Sequence, residues 1–190
     1  MSGSRDETVQ RSDLRRFGLW MFLATVTMLF AAFTSAYIVR RSGSDWQRVA
    51  LPPMLWWNTA VLAASSAALE IAWWYGSRRV WQRSSGAFIL ALILGFGFVG
   101  GQLAAWRQLV AAGVYLPTNP FASFFYMMTG AHGLHVIAAL AVIGWGVAVT
   151  ASGSGRRRPR RWDATMSICR TFWHYLGAVW LYLFLLLSVY

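Results

Sequence analysis

The chain has 190 residues, 57% of them hydrophobic and 12% charged, a mixture that excludes an ordinary soluble domain and points to a membrane protein. Its formal net charge is +11 and every one of its 17 cations is an arginine, but these cluster at the edges of apolar runs. They therefore read as topology signals rather than a nucleic-acid-binding face. The single cysteine, Cys169, excludes an intramolecular disulfide and a cysteine-based metal site, and is expected to be a buried small hydrophobe.

Residues 1–12 form a polar, basic tail that is expected to be mobile, and Asp13 supplies the start signal of a membrane domain over 13–190. Phe17 to Val39 is the first apolar run, matching the roughly 20 residues that cross about 30 Å of hydrocarbon. It is too long for a signal-peptide core and no convincing small-residue cleavage site follows, so it is expected to stay in the mature protein. Pro53 opens a second helix, Met54 to Tyr75, which contains Glu70. Ser85 precedes a third, Gly86 to Trp106, and Pro120 a fourth, Phe121 to Thr150. Ser167 precedes the last, over about 168–190, whose apolar run starts at Thr171. The expected fold is an all-α integral membrane bundle of five transmembrane helices. No internal repeat is visible, and "SGSGRRRPRR" reads as a solvated basic turn.

Basic residues are retained on the cytoplasmic side, and thirteen arginines fall on the N-terminal side of the alternating spans against four (Arg40, Arg41, Arg48, Arg107) on the other. The N-terminus is expected to be cytoplasmic and the C-terminus extracytoplasmic. Trp56, Trp57, Trp73, Trp74, Trp81, Trp106, Trp162 and Trp173 all fall near predicted helix ends, where an amphipathic ring suits the membrane–water boundary.

"GFGFVG" (95–100) has the spacing of a dinucleotide fingerprint, but that mechanism needs a strand ending at a solvated helix N-terminus, and these glycines sit inside an apolar run. Close helix packing, extended by Gly101 and Ala104, is the better account. Glu70 is the only acid within a span; it stands toward the cytoplasmic end of its helix, where it can snorkel or pair with Arg78 or Arg79. His132 and His135 share one helix face in "TGAHGLHV", and His174 lies just inside the fifth helix. Two facing histidines could ligate a haem as in a free-standing b-type cytochrome, but their depths match poorly, which favours hydrogen-bonded helix packing. No set of residues supports hydrolysis or phosphoryl transfer.

Four stretches in unbroken order, "AFTSAYIVRR", "LPPMLWWNTAVLAASSAALE", "GQLAAWRQL…LPTNPFASFFYMMTGAHGLHV" and "FWHYLGAVWLYLFLLL", together resemble subunit III of the haem–copper (cytochrome c) oxidases. The resemblance covers about residues 17–190. It implies a non-catalytic accessory subunit in aerobic respiratory electron transport, with no catalytic, cofactor or metal site of its own, since haem and copper belong to the partner catalytic subunit. Implied partners are subunits I and II and membrane phospholipids, with no nucleic acid, and the implied location is multi-pass in the bacterial inner membrane. Stabilising the catalytic subunit, sustaining its proton uptake and holding lipid are the roles such a chain would have. Five spans match the shorter bacterial form, in which two leading helices and one wall of the lipid cleft are missing.

An accessory subunit of a quinol oxidase or nitric oxide reductase is the alternative within the same superfamily. Two departures limit what is inherited. Val26 in "FLATVT" stands where many members carry a glutamate, and Gly177 in "WHYLG" replaces an aspartate. The resemblance makes His132, His135, Trp173 and His174 helix-packing or lipid-contact positions, and Asn58 and Gln102, as amides in lipid, are expected to find interhelical partners.

Overall fold

The structure is a computed structural model that describes the backbone of residues 3–151 and 162–189, and the side chains of Leu14 and of residues 17–148 and 166–189. Among the described residues it contains five helices and no strand: α1 Gly3–Arg40, α2 Met54–Ser77, α3 Trp81–Ala111, α4 Pro120–Ala151 and α5 Trp162–Val189. In lipid every backbone N–H and C=O must be paired internally, and long helices do this within one segment.

Each helix outruns the apolar stretch that foretold it. α1 is already helical at Gly3, well before Asp13, so the segment expected as a mobile tail is continuous helix. α3 starts at Trp81 rather than after Ser85, and α5 at Trp162 rather than after Ser167, because a helix continues past its apolar face until a turn stops it. Pro53 and Pro120 do mark helix starts. At the second of these the cap is Asn119, whose Oδ1 accepts the Ala122 N–H at 2.8 Å.

Among the described residues, four helices contain stretches long and apolar enough to cross a membrane: Phe17–Arg40, Trp81–Ala111, Pro120–Ala148 and Met166–Val189. α2 is not among them, since Asn58, Thr59, Ser65, Ser66, Glu70 and four tryptophans dilute its apolar character.

Pairwise contacts fix the helix directions. Thr27 and Thr34 of α1 bond Tyr175 and Tyr182 of α5, at 2.7 and 2.9 Å; both pairs advance seven residues together, so these helices run parallel. Trp56 meets Phe184, Trp180 Nε1 donates to Thr59 Oγ1 at 3.0 Å, and Glu70 reaches Arg170, so α2 runs antiparallel to α5. It is antiparallel to α3 as well: Ser65 donates to the Ala91 carbonyl and Ser84 to the Ala72 carbonyl, each at 2.8 Å. α2, α3, α4 and α5 thus close a ring, and α1 lies outside it against α4 and α5. The start of α1 and the end of α5 stand at opposite ends of the bundle.

The core is continuous through the ring, with Trp173, Trp180, Phe88, Phe98, Phe121 and Phe125 fully buried. Small residues set the closest approaches. A Cβ at Gly95 would strike the Leu140 side chain and come within 3.0 Å of Trp173, and one at Gly101 would strike the Asn58 amide. The packing role expected of these two glycines holds. Gly97 and Gly100 are exposed and touch little, and Gly133 faces open space, so these three do not mediate close approach within the chain.

Candidate functional site

The charged site of the bundle is Glu70, on α2, with two partners from α5. Glu70 Oε1 accepts from Arg170 Nε at 2.8 Å and from His174 Nε2 at 2.7 Å, while Oε2 accepts from Arg170 Nη2 at 2.8 Å. Arg170 and His174 are four apart, so one helix face presents both, and the antiparallel crossing brings that face to Glu70. The guanidinium also lies over the Trp73 ring, 4.3 Å from its centroid. The three side chains are 38%, 31% and 42% exposed, at the end of the bundle where α2 finishes and α5 begins. A planar fork on a carboxylate fixes the crossing angle of two helices more firmly than a single point charge would.

This corrects the expected partners. Arg78 instead stacks on Trp74 at 3.9 Å, and Arg79 occupies the positive-φ position (61°) that ends α2. Neighbours in sequence on the far side of a helix end cannot reach back to Glu70 as well as a side chain on the facing helix does. Arg170, counted among the loop arginines that set topology, is part of α5 and belongs to this site.

The three histidines have three separate surroundings. His174 is held by Glu70. His135 donates from Nδ1 to the Ala131 carbonyl at 2.7 Å, one turn back on its own helix, so it does not bond across helices as expected. His132 is 1% exposed inside a box of Phe30, Phe98 and Trp180, with ring centroids 6.3, 6.2 and 5.5 Å away. Neither of its nitrogens has a hydrogen-bond partner among the described residues, which overturns the cross-helix bond expected there too. No two imidazoles face each other as a haem pair requires. Among the described residues no three His, Cys, Asp or Glu side chains gather as a metal site.

The two amides are buried, but the partners expected for them are incomplete. Asn58 lies against Gly101 with its Nδ2 unbonded, and neither end of the Gln102 amide has a partner among the described residues. Hydroxyls and indoles tie the helices together instead. Ser65, Ser84, Thr27, Thr34, Thr59 and Thr129 all bond a neighbouring helix, the last by accepting Trp106 Nε1–H at 3.2 Å. Sequence reasoning passed over them because Ser and Thr are unremarkable residues in a membrane helix; their spacing on the inward face was the available signal.

Of the tryptophans expected near helix ends, Trp173 is buried against Gly95 rather than standing at a boundary, while Trp56, Trp57, Trp73 and Trp74 are exposed. The side chain of Trp162 lies outside the described residues. Cys169 is buried as expected and its thiol approaches the Val142 carbonyl at 3.4 Å. Val26, where the resemblance would place a glutamate, is 2% exposed, and Phe22 and Phe30, one turn to either side, both touch the His135 ring.

Comparison with known proteins agrees with this arrangement. The family model described as Cytochrome c oxidase subunit III matches residues 1–190. A probable cytochrome c oxidase subunit 3 of Mycobacterium tuberculosis is 28% identical over 95% of this chain and 90% of its own length. A cytochrome c oxidase subunit 3 of Thermostichus vulcanus is 29% identical over 97% and 91%. A cytochrome bo(3) ubiquinol oxidase subunit 3 of Pseudomonas aeruginosa is 27% identical over 88% and 81%. A multi-pass helical bundle, ordered motifs at its helix contacts and a match from end to end place this chain in the cytochrome c oxidase subunit III family.

Proposed function

We propose that the chain is the accessory subunit of a bacterial haem–copper terminal oxidase, seated in the inner membrane beside a catalytic subunit that carries the haem and copper. The end-to-end family match carries this reading. The site supports it: Glu70, Arg170 and His174 are consumed in joining two helices, an arrangement suited to holding a shape rather than turning over a substrate. Subunits I and II are the partners, and phospholipid is the third.

In this reading α2 is the fifth span. It runs alongside α3 from Met54, which accepts from Gln108, to Ala72, which accepts from Ser84, and so covers the depth that α3 does. Five crossings with the arginine-rich ends inside put the N-terminus in the cytoplasm and the Glu70 site toward the cytoplasmic leaflet. Lipid is proposed to occupy the groove of about 1240 Å³ between α1 and α4 at the other end, where Ala32, Ala36 and Phe124 offer an apolar wall and Arg40, Ser42 and Asn119 a polar rim. Asn58, Gln102, His132, His135 and Trp173 are structural positions inside the bundle.

The relatives include subunits named for cytochrome c oxidases and for quinol oxidases, so a quinol-oxidising host is the second reading. Which donor the purified complex oxidises, reduced cytochrome c or a quinol, decides between them. The proposed role is tested by deleting the chain from its host. The catalytic subunit should keep its haem while the complex melts at lower temperature and takes up protons more slowly. Unchanged melting temperature and proton uptake in the deletion strain would defeat the reading.

A further inference from the structure

At the end of the bundle where α2 turns into α3, three consecutive aromatic side chains each carry a guanidinium. Arg170 lies over Trp73 at 4.3 Å, Arg78 over Trp74 at 3.9 Å and Arg83 over Tyr75 at 5.6 Å from the ring centroid. The first of these is bonded to Glu70. The other two meet no acid: Asp45 and Glu70 are the only acids among the described side chains, the one bonded to Arg40 and the other to Arg170 and His174. Arg79 adds a third exposed charge at the tip of the turn, in a left-handed backbone position (φ 61°) that glycine fills more easily. Stacking fixes the flat faces of Arg78 and Arg83 and leaves their N–H edges open, and such an edge matches the oxygens of a phosphate.

Below Arg83 an exposed stripe runs down α3 through Gly86, Leu90, Ile93 and Gly97, positions three or four apart and so on one face. α2 flanks it. Arg83 meets Tyr75, and a Cβ at Gly97 would meet Val61 at 3.8 Å, so residues 83–97 run antiparallel beside residues 61–75. A Cβ at Gly86 would touch nothing within 4 Å, and Ala64 on the α2 side is exposed and small. The stripe is therefore a shallow apolar furrow with the arginines at its mouth. At 1.5 Å per residue it is about 21 Å long, more than the roughly 15 Å of hydrocarbon in one leaflet.

A soluble anion would use the arginines alone, and an acidic protein segment would leave the furrow beneath them empty; a phosphate that bears an acyl chain uses both. Trp74, 43% exposed, stands at the same level, where an indole suits the membrane–water boundary. We propose that the α2–α3 corner binds an anionic phospholipid of the leaflet at this end of the bundle, the end opposite the groove between α1 and α4. Arg78 and Arg83 hold its phosphate, Arg79 adds charge, and one acyl chain lies along the furrow past Leu90 and Ile93. Three cations with no acid among them select an anionic headgroup over a zwitterionic one. The site rests on α2 being a span, as proposed above, and not on which donor the host complex oxidises.

The test uses the complex in phosphatidylcholine nanodiscs carrying a trace of photoreactive lipid, either phosphatidylglycerol or phosphatidylcholine with a diazirine on one acyl chain, and maps labelled peptides by mass spectrometry. The phosphatidylglycerol probe should label residues 61–75 and 83–97, and unlabelled phosphatidylglycerol should compete it away where added phosphatidylcholine does not. Arg78→Gln with Arg83→Gln should cut that labelling about tenfold and leave label elsewhere on the chain unchanged. Gly86→Leu, which fills the furrow, should cut it as well. Melting temperature reports whether each variant folds, and if one does not, the other carries the test. Equal labelling of the corner by the two probes, undiminished labelling in a folded variant, displacement by inorganic phosphate but not by chloride of equal ionic strength, or a density map of the complex with a neighbouring subunit's carboxylate on the arginines would each overturn the site. Label from neither probe anywhere on α2 would overturn the span, and the site with it.

Discussion

Glu70 shows what a lone acid in a membrane helix is for when its neighbours are known. Its two oxygens accept three N–H bonds from α5, and the carboxylate offsets the Arg170 charge. Glu70→Gln keeps one acceptor oxygen for Arg170 but removes the ion pair, and for groups this exposed to solvent the expected loss is about 0.5–1 kcal/mol. Arg170→Ala should cost more, because it leaves the carboxylate with His174 alone and lifts the lid from Trp73. Both are read as melting temperature of the purified complex, with turnover per assembled haem unchanged. A large loss of proton uptake in a fully assembled Glu70→Gln complex would contradict this structural role.

The sequence was enough to single out Glu70, since it is the one acid inside an apolar run. Its partner was not legible, because Arg170 is a hundred positions away and resembles the basic loop that precedes it. The histidines misled in a similar way: spacing put them on one face of α4, but only the facing rings of Phe30, Phe98 and Trp180 show that His132 is enclosed.

Apolar length foretold the helices, and two prolines marked starts, while the other ends escaped because a helix does not stop where its apolar face does. Packing between helices depends on which glycines face inward. Gly101→Ala drives a methyl into the Asn58 amide and should destabilise the bundle by about 1–3 kcal/mol. Gly100→Ala, one residue earlier, meets open space and should be neutral or slightly stabilising through helix propensity. Thermal unfolding of the two variants in one detergent checks the contrast.

α1, outside the ring, is held to α5 by two Thr–Tyr bonds; interhelical bonds of this kind average about 0.6 kcal/mol, so Thr27→Val with Thr34→Val should cost about 1 kcal/mol and loosen α1 first. Hydrogen exchange on α1 measures this. At its end, the Arg40 guanidinium bonding Asp45 holds that carboxyl below the usual aspartate range. A depressed carboxylate stabilises at neutral pH and stops doing so as pH falls through its folded value. The loop after Arg40 should therefore loosen on acidification before the helices do, and Asp45→Asn should show the loosened loop already at neutral pH. Exchange rates in that loop, corrected for their intrinsic pH dependence, report both.

At the scale of the whole molecule, the ring of four helices with α1 laid outside leaves large apolar side chains facing outward on every helix, among them Trp20, Met28, Ile93, Phe96, Leu134 and Leu185. Lipid and neighbouring subunits are what such a surface meets in a membrane. Family membership was legible because four stretches stand in unbroken order along the chain, and Asn58, Gln102, His132 and Trp173 within them are all buried in the bundle. The most direct test is purification of a tagged copy in mild detergent, followed by a reduced-minus-oxidised spectrum and subunit identification. A haem–copper catalytic subunit should copurify in equal amount, with all haem absorbance belonging to it. Recovery of this chain alone, with or without a haem band, would contradict the account.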